Sequence, residues 1–334
     1  MNIYSSVDKN NIDKIICLFD SVYINSENKN SLKFYLITDD IPDILPYIPD
    51  YLEEILQIKK VIFDDRWNNL MKSFNTSFYK QALWCKNNMN FARFLFFKVF
   101  PEVDRVIYLD WDMILQADIF ELKPEYEQYD KMVIAHSDKN VISTNIFTEV
   151  FRKSLSYMDL FHSKGTKKID KVFDLMKVDK KSRNVEGFNS GFYIVTRSHF
   201  EDKLIFDIIS KLIKIQKSYQ CFNFGTQVVM NFLCIDNRIY ISKLWNHLPK
   251  IDDIPKIKNI HYNGDKKPWH NYLLPENKVW FDYYDRLYPE WKLNLKLIEE
   301  SKEEYNNKKV SNNKINSKKI KNNSRLLKYL SNNI

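Results

Sequence analysis

Strand-like and helix-like hydrophobic periods alternate along most of this 334-residue chain, which predicts an α/β fold with a mostly parallel central sheet flanked by helices. Two further observations point the same way. Several apolar runs are short enough for buried strands. One of them, Val106-Ile107-Tyr108-Leu109, ends in a pair of carboxylates, Asp110-Trp111-Asp112. Ligands of open α/β sheets collect at strand carboxyl ends, so this pair marks the first place to look for a site.

The elements follow in order. Asn2 to Ser6 reads as a first strand, and Ile12, Ile15, Ile16, Phe19, Val22 and Tyr23 recur at helical spacing after it. Leu32 to Ile37 reads as a buried strand, Ile41 to Leu56 as mostly helical despite Pro42, Pro46 and Pro49, and Lys60 to Phe63 as a third strand. Phe91 to Phe100 reads as a buried helix that leads through Pro101 into the strand before Asp110. Later strands fall at Met132 to Ala135 and Phe192 to Val195. No internal repeat is visible. The expected organisation is a single domain over residues 1–270, a helical extension over 271–305 packed on or near it, and a tail over 306–334.

Hydrophobic residues at 44% and aromatics at 15% fit a folded globule, with aromatic rings to spare for stacking on planar or sugar ligands. No apolar run is long enough to span a bilayer, and Met1 to Ser6 lacks the basic and apolar regions of a signal peptide. The expectation is a soluble protein of the cytoplasm. Cys17, Cys85, Cys221 and Cys234 show no C-x-x-C spacing and read as reduced core thiols. The net charge of +8 is matched by the eight basic and no acidic residues of 306–334, so the remainder is neutral and carries no nucleic-acid footprint. That Asn- and Lys-rich tail cannot bury enough apolar surface to fold alone. Its Arg325-Leu326-Leu327-Lys328-Tyr329-Leu330 segment reads either as a short basic amphipathic turn that touches an anionic membrane or as part of a solvated tail.

On an extended segment Asp110 and Asp112 would share one side while Trp111 turns away, and such hard oxygen ligands favour Mn²⁺ or Mg²⁺. The segment His261-Tyr262-Asn263-Gly264-Asp265-Lys266-Lys267-Pro268-Trp269 adds an imidazole suited as a third ligand, a glycine that lets a backbone N–H approach a phosphate, and a cation at Lys267. Only five glycines occur: Gly165, Gly187, Gly191, Gly225 and Gly264. In so glycine-poor a chain they mark positions of positive φ or close approach, and four of the five border Phe188-Asn189-Ser190, Thr226-Gln227 or the His261 segment.

Taken together, Tyr108-Leu109-Asp110-Trp111-Asp112, Phe188-Asn189-Ser190-Gly191 and the His261 to Trp269 segment resemble glycosyltransferase family 8, the retaining family that includes glycogenin and the bacterial lipooligosaccharide galactosyltransferases. The resemblance covers roughly Met1 to Trp269. It implies a GT-A fold, a UDP-sugar donor, Mn²⁺ bridging the diphosphate, and transfer of a hexose with retention to a glycan, glycoprotein or glycolipid acceptor. By the same resemblance Asp110, Asp112 and His261 would be metal ligands, with Asp110 also near the donor ribose. Gly264 and Lys267 would hold the diphosphate, Asp8 would contact the uracil, and Arg93 would lie near donor phosphate and sugar. Asn189 and Asp138 would contact sugar hydroxyls, and Gln227 would face the anomeric carbon. The chain departs from the family pattern at Thr226-Gln227-Val228, which keeps the Gln but lacks the flanking acids of many relatives. Two other classes share parts of this pattern. A metal-dependent nucleotidyltransferase would use paired aspartates but also an N-terminal Gly-rich phosphate loop, which is absent here. A catalytically impaired sugar-nucleotide-binding protein would accord with the missing acids.

Overall fold

The computed structural model describes residues 1–41, 48–78, 87–128, 130–136, 171–182, 187–219, 225–249, 252–264, 267–270 and 274–290. Met1–Asn263 form one compact unit and the chain from Gly264 onward a second. In the first unit the strands are β1 (Asn2–Val7), β2 (Lys33–Thr38), β3 (Leu56–Lys60), β4 (Arg105–Leu109), β5 (Met113–Leu115), β6 (Met132–Ala135), β7 (Phe192–Thr196), β8 (Arg238–Ile241) and β9 (Asn259–His261). Seven of them form a sheet in the order β3-β2-β1-β4-β7-β6-β8. Only β7 runs against its neighbours, so the sheet is mostly parallel, as expected from the alternating periods. The chain turns to β2 and β3 on one side of β1, while β4 lies on the other. The carboxyl ends of β1 and β4 therefore flank a topological switch point, where open sheets leave a crevice.

Helix α1 (Ile12–Asn25) buries Ile12, Ile15, Ile16, Phe19 and Val22, the face read from the sequence. Burying side chains of this size is worth about 1.5–3 kcal/mol each before chain entropy is charged against it. Three longer helices among the described residues of this unit have no counterpart in the sequence reading, α2 (Asp65–Ser77), α3 (Asp202–Tyr219) and α4 (Thr226–Leu233), and neither does the short helix Lys123–Tyr126. The start of α2 is set by Asp64, whose carboxylate accepts from Trp67 N–H at 3.0 Å. Along α3 the buried face is Ile205, Ile208, Ile209, Leu212 and Gln216.

Three local expectations need correction. Between Ile41 and Leu56, helix forms over Asp50–Glu53 alone among the described residues, and Leu56 already belongs to β3. The third strand is thus Leu56–Lys60 rather than Lys60 to Phe63. As the edge of the sheet it tolerates Gln57, Lys59 and Lys60, whereas Ile62, in the apolar run that drew attention, is 82% exposed. The helix expected over Phe91 to Phe100 is two short α turns, Met89–Ala92 and Phe96–Val99, joined by a 3-10 turn at Arg93–Leu95.

Many of the aromatics build the core rather than a ligand face. Tyr108 and Tyr193 stack with ring centroids 4.6 Å apart, Tyr4 meets Tyr108 edge-on at 4.9 Å, and the Tyr4 and Tyr193 hydroxyls are 2.9 Å apart. Cys17 and Cys234 are buried among apolar side chains, and burial pushes the Cys234 thiol up to about 12, which keeps it protonated and inert. Cys85 and Cys221 lie outside the described residues. No helix among the described residues is long and apolar enough to cross a membrane.

The second unit contains α5 (Lys278–Leu287) and two 3-10 turns, Pro268–His270 and Pro275–Asn277. Trp280 holds it together, stacking on Tyr284 at 4.4 Å and packing on Trp269 at 5.4 Å between centroids. The tail from Asn306 and its Arg325 to Leu330 segment lie outside the described residues.

A candidate metal and sugar-donor site

Strand β4 ends at Leu109, and Asp110 to Asp112 form a turn into β5 rather than an extended segment. The carboxylates converge all the same, because of what pairs with them. In the small antiparallel sheet Met113 stands opposite His261, and Tyr262 N–H donates to Asp112 O at 2.9 Å. This register delivers an imidazole from a segment about 150 residues later to the side of Asp112. One ligand atom each from Asp110, Asp112 and His261 lie within 4.8 Å of one another. His261 Nε2 is 3.3 Å from Asp112 Oδ1 and 3.9 Å from Asp110 Oδ2, with Asp112 and His261 buried and Asp110 partly open. Two carboxylates and an imidazole are a donor set for a hard or borderline divalent cation.

Gly191 makes room for this cluster. Its carbonyl accepts from Asp110 N–H at 2.8 Å, and a Cβ on Gly191 would come within 2.4 Å of His261 Cε1. The close approach expected of a glycine here is to a protein side chain. Gly225 and Gly264 instead have positive φ, +52° and +91°.

Arg93 anchors the other side. Its guanidinium donates to Ser190 O and Oγ at 3.2 and 3.3 Å and to Asp110 Oδ1 at 3.4 Å, and it lies 4.7 Å from the Tyr108 ring centroid. Burial works against its charge, but Tyr108 and Asp110 outweigh that and hold it more firmly protonated than usual. Burial also raises the Tyr108 hydroxyl well above the ordinary tyrosine range, so it stays a phenol and donates to Asp110 Oδ1 at 2.5 Å. With Oδ1 occupied by Tyr108 and Arg93, Oδ2 is the oxygen that faces His261.

The loop before β7 is clamped from α4. Gln227 Oε1 accepts from Asn189 Nδ2 at 3.2 Å and Ser190 N–H at 3.4 Å. One turn on, Asn231 accepts from Phe188 N–H at 3.0 Å and donates to Phe188 O at 2.9 Å. Asn189 also meets Asn246, which contacts His261, so the sugar-facing candidates and the metal candidates form one network.

The other expected residues are placed as follows. Asp8, just after β1, accepts from Asn10 N–H, from Asn11 Nδ2 and from Asn87 Nδ2, and caps the turn Lys9–Asn11. Gly264 and Lys267 belong to the second unit. Asp138 lies outside the described residues. Tyr108, Ser190, Asn231 and Asn246 were not among the sequence candidates. Tyr108 was within reach, standing two residues before Asp110, and Asn231 stands one helical turn from Gln227. Asn246 carries no such local signal.

The fold is of the GT-A type. The chain matches glycosyl transferase family 8 over residues 2–272 and belongs to that family. It is 22% identical over 311 residues to glycosyltransferase GlyB of Streptococcus pneumoniae serotype 4, an alignment that covers 84% of this chain but only 61% of that protein. Among solved structures it is similar to galactosyltransferase LgtC in complex with donor and acceptor sugar analogues, with a TM-score of 0.59 at 15% identity over 86% of this chain and 96% of the other. It is also similar to the bifunctional glycosyltransferase WbbM, with a TM-score of 0.55 at 15% identity over 85% of this chain and 49% of that one. At these identities the structural likeness speaks for the fold.

Proposed function

We propose that the protein is a metal-dependent retaining glycosyltransferase that moves a hexose, glucose or galactose, from a UDP-sugar to a hydroxyl of a glycan, protein or lipid-linked acceptor. The observation that carries this reading is the convergence of Asp110, Asp112 and His261 within 4.8 Å at the carboxyl end of β4, in a chain of family 8. The donor set fits Mn²⁺, and Mg²⁺ is the second choice. Bound there, the cation would neutralise charge that develops on the departing diphosphate.

The chain's own residues then have distinct tasks. Arg93 and Tyr108 fix Asp110 so that one oxygen faces the cation position. Asn189 and Gln227, held together by a 3.2 Å hydrogen bond, would orient the donor sugar. Because Gln227 Oε1 already accepts two hydrogen bonds from the 189–190 loop, it is poorly placed to attack the anomeric carbon, and a front-face path without a covalent intermediate is the mechanism we favour. Asp8, next to the switch point, would meet the uracil.

A donor screen tests the reading. Hydrolysis of several UDP-hexoses should appear with Mn²⁺ and vanish in EDTA. Release of UDP from none of them, with cation present, would leave a sugar-nucleotide-binding protein instead.

A further inference from the structure

Asn246 sits between the candidate metal centre and the loop that carries Asn189. Its Oδ1 lies 2.7 Å from His261 Nδ1, and its Nδ2 donates to Asn189 O at 3.1 Å and Asn189 Oδ1 at 3.3 Å. Asn189 Nδ2 in turn donates to Gln227 Oε1 at 3.2 Å. This chain of amides admits one assignment. The NH₂ of Asn246 faces two oxygens, so its oxygen must face the ring, and the ring nitrogen it faces must carry a proton. In the neutral imidazole, the form that can ligate a cation, His261 then carries its N–H at Nδ1 and leaves its lone pair at Nε2, the atom 3.3 Å from Asp112 Oδ1. Asn246 and His261 are both buried, so solvent does not compete for these bonds.

We propose that Asn246 is a positioning residue that sets the His261 tautomer for cation binding and, through Asn189, ties the cation site to Gln227. The inference rests on the metal-dependent reading above. Ligating imidazoles generally donate their second N–H to an oxygen acceptor, and loss of that partner costs about 10–100-fold in metal affinity. An amide differs from a carboxylate in this place because it also donates. A carboxylate would hold the ring and could not donate to Asn189. One side chain thus sets the ring and the sugar-facing loop together.

The test is a Mn²⁺ titration in the presence of UDP, followed by electron paramagnetic resonance, on wild type, Asn246→Ala, Asn246→Asp and Asp112→Asn. Transfer kinetics and a metal-free thermal melt accompany each variant. Asn246→Ala should raise the Mn²⁺ Kd by about 10–100-fold. Asn246→Asp, which keeps an acceptor for Nδ1–H, should bring Kd back to within about threefold of wild type or tighter, while kcat stays about tenfold down because Asn189 has lost its donor. If Asn246→Ala binds Mn²⁺ within about twofold of wild type while Asp112→Asn does not bind it, the positioning role is overturned and the metal reading stands. If Asp112→Asn binds as wild type does, the metal reading falls and takes the inference with it. An Asn246→Asp variant with wild-type kcat overturns the tie to Gln227. Should Asn246→Ala fail to fold, ¹⁵N NMR of the wild-type protein with Mg²⁺ and UDP decides the matter: a proton on His261 Nδ1 alone supports the inference, and a protonated Nε2 overturns it.

Discussion

Gly191→Ala is the smallest change that should dismantle the candidate cation site. A Cβ at this position would stand 2.4 Å from His261 Cε1, 2.8 Å from His261 Nδ1 and 2.8 Å from Met113 Cε. Carbon atoms pack at about 3.5–4.0 Å, so one side must retreat by roughly 1 Å. The Met113 methyl ends a flexible chain and can swing away. The imidazole cannot, because Asn246 holds Nδ1 and the pairing of β9 with β5 holds the backbone. The clash is therefore relieved only by breaking the Asn246 contact or shifting β9, and a ring displaced by about 1 Å no longer presents Nε2 at its 3.3 Å separation from Asp112 Oδ1. Mn²⁺ affinity in the presence of UDP should fall about 100-fold or more, the upper end of losses seen when a ligating imidazole is misplaced. Overpacking of this kind costs about 1–3 kcal/mol, and at about 2–4 °C per kcal/mol for a unit of this size the Tm should drop by several degrees. A double variant separates the two effects. Removing the ring removes the clash, so Gly191→Ala with His261→Ala should lose less stability than the two single changes summed, with a coupling of about 1 kcal/mol or more. Calorimetric titration of cation and a thermal melt are the assays. A Gly191→Ala protein that melts with wild type and binds Mn²⁺ within about twofold of it would refute the argument.

Four further outcomes are expected. Asp112→Asn should abolish turnover with little change in Tm, since a site built for substrate need not support the core; turnover in that variant, or in EDTA, would remove Asp112 from the ligand set. Gln227→Ala should lower kcat by about 10–100-fold, the loss of one or two transition-state hydrogen bonds, with anomeric configuration retained. A glycosyl adduct on Gln227 in the intact mass would overturn the front-face path. His199 Nδ1 accepts from Thr196 N–H at 3.1 Å, and burial followed by Arg105 holds its pKa below the ordinary 6.5. The unfolded chain therefore takes up a proton that the folded one refuses, so this contribution to stability is complete above pH 6.5 and is lost as pH falls below it. His199→Gln, which keeps an acceptor at that capping position, should flatten the decline in Tm from neutral to acidic pH, and an unchanged decline would exclude His199 as its cause. Finally, a chain ending at Glu304 should keep kcat on a soluble acceptor within about twofold and lose salt-sensitive binding to anionic vesicles, because all eight excess positive charges lie in 306–334. A large fall in kcat would give the tail a part in the chemistry.

What could be read from the residues, and what could not, follows from how each feature is specified. Strands β1, β2, β4, β6 and β7 are almost wholly buried, which favours apolar residues along them even though β1 also buries Ser5 and Ser6, and the strands expected from the sequence lie within two residues of their observed ends. Edge strand β3 is under no such constraint, and its Gln57, Lys59 and Lys60 conceal it. Helices α2 and α3 do carry local signals, an Asp64 cap three residues before Trp67 and an apolar 3–4 spacing from Ile205 to Leu212. The site divides along a similar line. Cation ligation restricts residue type to a few oxygen and nitrogen donors, so Asp110, Asp112 and His261 stood out even though the extended geometry expected for the first two is a turn. Orientation needs only one donor or acceptor at the right point in space, which most polar residues can supply. Asn246 reaches His261 because the 245–248 segment runs beside β9, where His261 N–H donates to His247 O at 2.8 Å, and no spacing rule along the chain encodes that adjacency. Gly191 lies between these cases. Its scarcity in a chain with five glycines flagged it, but only the register of β4 with β7 and of β5 with β9 reveals that the space its missing Cβ leaves is filled by the imidazole. Positions of that second kind, where type is loosely constrained and placement is set by pairing between distant strands, are where substitutions will alter the chemistry without touching any residue that a motif names.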